Sequence, residues 1–197
     1  MSLIPEFELG LWNAWIITVL FYVATLTPLQ VGKKKANKRG EGEPAWSQIS
    51  STHRIAILIT HVIILPFTFG YSIFLPMKLG TGWFYVGILI SILGILVSFM
   101  AGVSFATAPL DEPITTGVYS ISRNPIYFGV FLMYIAIGIA CASWVFLLCA
   151  VVWIVSWHFG VPEEERILLE KYGSAYREYM NMTPRWIGMP KSRKKTP

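Results

Sequence analysis

The decisive stretch of the sequence reads Gly117-Val-Tyr-Ser-Ile-Ser-Arg-Asn-Pro-Ile-Tyr127. It lies between two strongly apolar segments and combines a turn glycine, two tyrosines, an arginine and a proline. That proline begins an apolar run that continues to Phe159 and carries no acidic or basic residue apart from His158. Polar segments beside a membrane either line a site or serve as connectors, so the role of this stretch is the functional question.

The apolar run is too long for one membrane crossing. As a single helix, its roughly 35 residues would extend about 52 Å, whereas the hydrocarbon core is about 30 Å thick. Two helices joined by a tight turn near Cys141-Ala142-Ser143 fit better. On one helix, Cys141 and Cys149 would lie about 12 Å apart, which is too far for a disulfide.

The whole chain has the composition of an integral membrane protein. Of its 197 residues, 54% are hydrophobic and 14% are charged, and uncharged runs of membrane-spanning length recur. The predicted fold is a single all-α membrane domain over residues 1–197. Its five transmembrane helices cover residues 11–29, 55–76, 83–105, 125–141 and 143–159, and the last two form a tight helical hairpin. Pro66 is expected to kink the second helix.

Charge distribution predicts the orientation of these helices. With five spans, the lysine-rich loop that follows residue 33, the Arg123 loop and the basic tail lie on one side, as the positive-inside rule requires. The tail contains Lys191, Arg193, Lys194 and Lys195. Four spans would send it across the membrane. We therefore expect the N-terminus outside and the C-terminus in the cytoplasm. The net charge of +5 then faces anionic lipid rather than nucleic acid.

Polar and small residues within the spans have structural explanations. His61 has no second ligand at metal-binding spacing, so we interpret it as a packing histidine and expect no metal. His53, beside Arg54, is interpreted as interfacial. The third span carries a small-residue stripe, which predicts close helix packing; a ligand passing that face is the alternative. The stripe comprises Gly87, Ser91, Gly94, Ser98 and Gly102.

The chain changes character after Phe159. Pro162 is predicted to begin a cytoplasmic amphipathic helix, with Glu163 to Glu165 in its first turn, where the helix dipole favours carboxylates. Because a transmembrane hairpin returns the chain to the side it left, Arg123 and Asn124 should meet Glu163 and Glu164. A structural Arg-Glu pair that closes the helix ends is the alternative interpretation.

These segments together resemble the isoprenylcysteine carboxyl methyltransferase family, whose relatives include the phospholipid N-methyltransferases. The resemblance covers approximately residues 105–184, and its joint spacing is specific. It is carried by Gly117-Val118-Tyr119, Arg123-Asn124-Pro125-Ile126-Tyr127, Glu163-Glu164, and Tyr172-Gly173 through Tyr176 and Tyr179 to Pro184-Arg185. It implies an integral membrane enzyme that uses S-adenosylmethionine, with a cytoplasmic active site in a cofactor-binding half of about residues 105–187.

The resemblance also assigns residue roles. Glu164 and Arg123 are the predicted catalytic residues. The predicted cofactor contacts are Asp111, Ile114, Gly117, Val118, Tyr119, Asn124, Pro125, Ile126, Tyr127 and Glu163. Two positions depart from the family pattern: Asn124 replaces a histidine, and Gly160 replaces an arginine associated with the substrate.

By the same resemblance, the acceptor is a lipophilic small molecule or prenylated peptide that enters from the bilayer. An isoprenylcysteine-type carboxylate would be O-methylated without a general base, whereas a protonated lipid amine would need Glu164 to remove a proton. A phospholipid amine or a hydrophobic thiol is the alternative acceptor. Two other functions remain open, a sterol-reductase-like NADPH-dependent reductase and a structural or transport protein.

Overall fold

Helices account for most of the described chain. The computed structural model describes residues 7–38, 49–109 and 111–188, and within these ranges an isolated bridge between Asn13 and Pro76 is the only β pairing. A π-helical segment (Leu58–Ile64) joins the second and third helices, and a 3₁₀ turn (Gly117–Ser120) precedes the fifth. The α-helices of the described ranges are α1 (Trp15–Lys38), α2 (Ser51–Ile57), α3 (Leu65–Ile73), α4 (Gly82–Thr107), α5 (Pro125–Ala140), α6 (Trp144–Tyr172) and α7 (Ser174–Met182).

Within the described residues, four helical segments are long and apolar enough to cross a membrane, which makes this an all-α membrane protein. They are Trp15–Lys34, Ser51–Ile73, Gly82–Thr107 and Trp144–Tyr172. Helix α5 is also apolar, but its 16 residues extend only about 24 Å at 1.5 Å per residue. The fifth span and the orientation stay predictions, and the basic tail on which the orientation partly rests lies outside the described residues.

The long apolar run divides into α5 and α6 at a three-residue turn. Pro125 starts α5, where its fixed φ suits the first helical turn. After Cys141, Ala142 adopts a φ of 52°, and the Ser143 backbone N–H donates to the Gly138 carbonyl at 2.8 Å. Cys141 and Cys149 are both free thiols.

Helix α6 corrects the prediction that a separate helix begins at Pro162. Pro162 lies inside α6, which continues to Tyr172 and ends only where Gly173 takes a φ of 58°. Pro162 has no backbone N–H and therefore cannot donate a helical hydrogen bond. The helix continues past it because Val161 and Glu165, on either side of the proline, are buried. The glutamates at 163, 164 and 165 therefore lie within a helix, where successive side chains point about 100° apart.

Two other predicted boundaries also change. The second span contains the π-helical segment immediately before Pro66, where the Leu65 N–H donates to the Thr60 carbonyl five residues back; this wider turn accommodates the proline ring. The lysines from 33 onward were predicted to lie in a polar connector. The structure instead places them in the last turns of α1, while Arg39 lies outside the described residues.

The small-residue stripe of α4 packs closely against neighbouring helices, as predicted. Gly87 and Gly94 are buried against α5, where a Cβ on Gly87 would lie 2.7 Å from the Ala136 carbonyl oxygen. A Cβ on Gly102 would lie 2.6 Å from the ring of Pro28 in α1. The stripe thus seats α4 between α1 and α5, and it fixes the position from which the Arg123 loop departs.

Candidate active site

A cavity of about 480 Å³ lies where α5 and α6 meet the loop before α5 and helix α7. Eight of the predicted site residues line it: Ile114, Tyr119, Arg123, Asn124, Pro125, Ile126, Tyr127 and Glu164. Three further tyrosines also line the cavity: Tyr172, Tyr176 and Tyr179. The fold thus brings together the two sequence segments, residues 114–127 and Glu164, that were expected to converge.

The other four predicted residues lie outside the described lining. Asp111 is exposed, and Val118 is buried in the 3₁₀ turn. Gly117 has a φ of 62°, a conformation that disfavours side chains, and a Cβ there would meet the Ser104 hydroxyl at 2.9 Å. Glu163 pairs with Arg166 at 2.7 Å. Their predicted cofactor contacts stay predictions.

Tyr127 and Glu164 form the central contact of the site. The Tyr127 hydroxyl donates to Glu164 Oε1 at 2.5 Å. The Tyr127 ring stacks on Trp157 with centroids 4.0 Å apart and an interplanar angle of 20°. Trp153 Nε1 donates to the Tyr127 carbonyl at 3.3 Å. Both the ring and the backbone of Tyr127 are therefore held by α6, and Tyr127 in turn orients the carboxylate.

Arg123 pairs with Glu165, not with Glu163 or Glu164 as the predicted convergence proposed. Arg123 Nη2 lies 3.2 Å from Glu165 Oε1, and Arg185 Nη2 lies 2.6 Å from Glu165 Oε2. The Glu165 side chain is only 4% exposed and that of Arg123 only 9%. The alternative interpretation, a structural Arg-Glu pair, is thus correct for Arg123 and Glu165, because Glu165 is the glutamate that points toward the loop.

Arg123 nevertheless keeps unused donors beside the cavity. Its Nε and Nη1 atoms are buried and have no hydrogen-bond partner among the described residues, although the side chain lines the cavity. Buried donors without partners cost roughly 1–3 kcal/mol each.

The segment after α7 closes the loop that precedes α5. The Arg123 N–H donates to the Pro184 carbonyl at 3.0 Å, and Asn124 Nδ2 donates to the Arg185 carbonyl at 3.1 Å. The Tyr179 hydroxyl donates to the Tyr119 carbonyl at 2.7 Å. The Asn124 amide therefore has a structural partner, and α7 is tied over one side of the cavity.

Three of the cavity tyrosines have a raised pKa. Burial raises the pKa of Tyr119, Tyr176 and Tyr179 well above the usual range. For Tyr119 the negative charge of Glu164 is a second, smaller cause. These residues can therefore donate hydrogen bonds and present ring faces near neutral pH, but they cannot serve as phenolate bases.

A second cavity of about 790 Å³ adjoins the first. Ile49, Ile57 and Ile167 contribute an apolar wall. Six residues line both cavities: Lys33, His61, Phe105, Tyr127, Glu164 and Leu168. The Tyr127-Glu164 pair thus lies at the boundary between the two cavities.

Two residues of the site were missed or misread from the sequence. His53 was interpreted as interfacial, yet it is 6% exposed and its Nε2 lies 3.7 Å from Glu164 Oε1. The available signal was the helical spacing of His53, Ala56, Thr60 and Ile64, all of which are buried. For Glu165 the signal was the buried series Trp153, Trp157 and Val161, which continues to it in steps of four.

His61 lies at the junction of the two cavities, and its Nδ1 is 2.9 Å from the Thr60 hydroxyl. Within the described residues, no group of three His, Cys, Asp or Glu side chains is arranged to hold a metal ion. The charged side chains that line the two cavities are Glu164, Lys33 and Arg123.

Comparison with known proteins shows which family the chain belongs to. A family model described as phospholipid methyltransferase matches residues 75–175, a range that includes α4, the loop with Arg123, α5 and α6 with Glu164. Among curated proteins, no match to the chain is found. The matched range covers just over half of the chain and contains the Tyr127-Glu164 contact, so this membrane protein belongs to the phospholipid methyltransferase family.

Proposed function

We propose that the protein transfers a methyl group from S-adenosylmethionine to a lipophilic acceptor that enters from the bilayer. One observation carries this proposal: the Glu164 carboxylate, fixed by Tyr127, stands at the boundary between two adjoining cavities. Two substrates held on opposite sides of such a boundary would meet at Glu164. Holding two reactants in line is a major source of rate enhancement in bimolecular reactions.

The first cavity suits the methyl donor. Its volume of about 480 Å³ lies in the range of small-molecule sites. The positive charge of Arg123, which lines this cavity, would attract the donor's carboxylate, and the tyrosine faces suit its adenine and its positive charge. S-adenosylmethionine supplies an activated methyl group whose bond to the sulfonium sulfur breaks, with the electron pair left on sulfur, as the bond to the acceptor forms.

The second cavity suits the acceptor. Its isoleucine wall offers apolar surface to a lipid chain, while Glu164 and His53 supply polar groups at one end. A carboxylate at the reacting end favours an acceptor that carries a proton to be removed, such as an amine or a thiol. A phospholipid amine therefore fits this geometry best.

An isoprenylcysteine-type carboxylate is the second candidate acceptor, and one feature favours it. Lys33 lines both cavities and would offer a cation to an acceptor carboxylate. At Gly160, where the resemblance leads one to expect an arginine, a Cβ would lie 3.1 Å from the Ala56 methyl, so a side chain there would require α2 to give way. Among the described residues, Lys33 is the lysine or arginine that lines that cavity.

A screen with methyl-labelled S-adenosylmethionine tests the proposal. Purified protein in detergent micelles is expected to label phosphatidylethanolamine more than a farnesylcysteine analogue or a long-chain thiol. Preferential labelling of the farnesylcysteine carboxyl group would replace the amine acceptor with the second candidate. If folded protein labels none of the three nor a total lipid extract, the methyl-transfer proposal fails.

A further inference from the structure

His53 is a buried histidine of α2, and its hydrogen bonding fixes how it can act. Its Nδ1 lies 3.0 Å from the Gly160 carbonyl oxygen. A carbonyl can only accept, so Nδ1 must carry the hydrogen, and Nε2 of the neutral ring presents a lone pair. That Nε2 is the atom that faces Glu164 Oε1, at 3.7 Å.

The position of His53 depends on the absence of a side chain at Gly160. A Cβ there would lie 3.1 Å from the Ala56 methyl and 3.2 Å from the Trp157 ring, so α2 approaches α6 through a glycine. The His53 ring also packs edge-on against Trp157, with centroids 5.7 Å apart. The Trp157 ring also stacks on the ring of Tyr127. His53, Trp157, Tyr127 and Glu164 thus form one packed group.

We propose that His53 is the final proton acceptor for Glu164 during methyl transfer to a proton-bearing acceptor. Glu164 takes the proton from the acceptor nitrogen or sulfur, and the resulting carboxylic acid passes it to His53 Nε2. The imidazolium so formed is stabilised by the restored Glu164 carboxylate and by the Gly160 carbonyl. This inference rests on the proposed function and adds to it a residue outside the range that the family model matches.

The distance is consistent with a relay. At 3.7 Å, Nε2 and Oε1 are too far apart for a direct hydrogen bond, but one bridging water or a small closure on substrate binding would connect them. Other charged groups also act on His53. Glu163 interacts with it electrostatically, His61 does so from the same long helix, and Lys33 lines the same cavity from α1.

The His53→Asn variant tests the relay, because asparagine can still donate to the Gly160 carbonyl but has no Nε2. With phosphatidylethanolamine micelles as acceptor, we expect kcat to fall by about 100-fold, the lower end of what general base catalysis contributes. The affinity for S-adenosylhomocysteine should be unchanged. The acid-side fall of kcat should move to lower pH, because only Glu164 then needs to be deprotonated. The matched control is His158→Asn, which changes an exposed histidine of α6.

The outcomes separate the relay from the proposed function. If His53→Asn keeps the wild-type kcat and pH profile while the wild type binds S-adenosylhomocysteine and labels lipid, the relay is wrong and methyl transfer stands. Absence of S-adenosylhomocysteine binding by folded wild type would overturn both. A readout independent of turnover is ¹⁵N NMR of the three histidines: neutral His53 should carry its hydrogen on Nδ1. A neutral Nε2–H tautomer would contradict the proposal even if His53→Asn fails to fold.

Discussion

Glu164→Gln is expected to lower kcat for methyl transfer to phosphatidylethanolamine by about 10²–10⁴-fold. Glutamine fills the same space and can keep the contact with the Tyr127 hydroxyl, but it cannot take a proton from the acceptor amine. The loss should therefore appear in kcat more than in KM. Initial rates with methyl-labelled donor, measured across a range of lipid mole fractions in micelles, provide the check.

Glu170→Gln is the matched control for that experiment. Glu170 also lies in α6, but its exposed carboxylate pairs with Arg166, and the residue lies outside the described lining of both cavities. Its replacement should leave kcat near the wild-type value. Equal losses in the two variants would mean that the effect comes from the charge of this helix segment, and the specific role of Glu164 would be rejected.

Glu165→Ala should destabilise the protein by about 3–5 kcal/mol, because it leaves two arginines near each other without their shared carboxylate. Arg123 and Arg185 both contact Glu165, which is 4% exposed. A change of that size corresponds to a melting temperature roughly 6–20 °C lower. Thermal unfolding in detergent, followed by circular dichroism, measures it.

Glu170→Ala is the control for this loss, because Glu170 pairs with Arg166 at an exposed position of the same helix. Exposed ion pairs contribute only about 0–1 kcal/mol. Similar melting temperatures for the Glu165→Ala and Glu170→Ala proteins would show that the Arg123-Glu165-Arg185 cluster does not hold the loop against α6.

The helices could be predicted from the sequence where apolar length and proline position determine them. The third span, predicted over residues 83–105, corresponds to α4 at Gly82–Thr107, and the small residues along it predicted its close packing. Pro162 was misleading because a proline after an apolar run is typical of both a helix start and a tolerated helix interior. Burial on both sides of the proline decides between them, and burial depends on tertiary contacts that the local sequence does not contain.

The site could be predicted only in part, because some of its contacts also depend on tertiary packing. Arg123, Tyr127 and Glu164 follow from a motif and from the return of the chain through α5 and α6. His53 does not, because its contact with Gly160 joins residues 107 positions apart and depends on how closely α2 approaches α6. The choice among three consecutive glutamates also required the continuous helix, since each points in a different direction.

Calorimetry tests most directly whether the first cavity binds a methyl donor. S-adenosylhomocysteine and, in a separate experiment, NADPH are titrated into the folded protein in detergent. We expect saturable binding of S-adenosylhomocysteine, weakened by Tyr127→Ala and by Arg123→Gln, and no binding of NADPH. Both variants alter the first cavity, the first by removing the stacked ring and the second by removing the positive charge that lines it. Binding of NADPH alone, or no binding of S-adenosylhomocysteine to folded protein, would contradict the assignment of this cavity to a methyl donor.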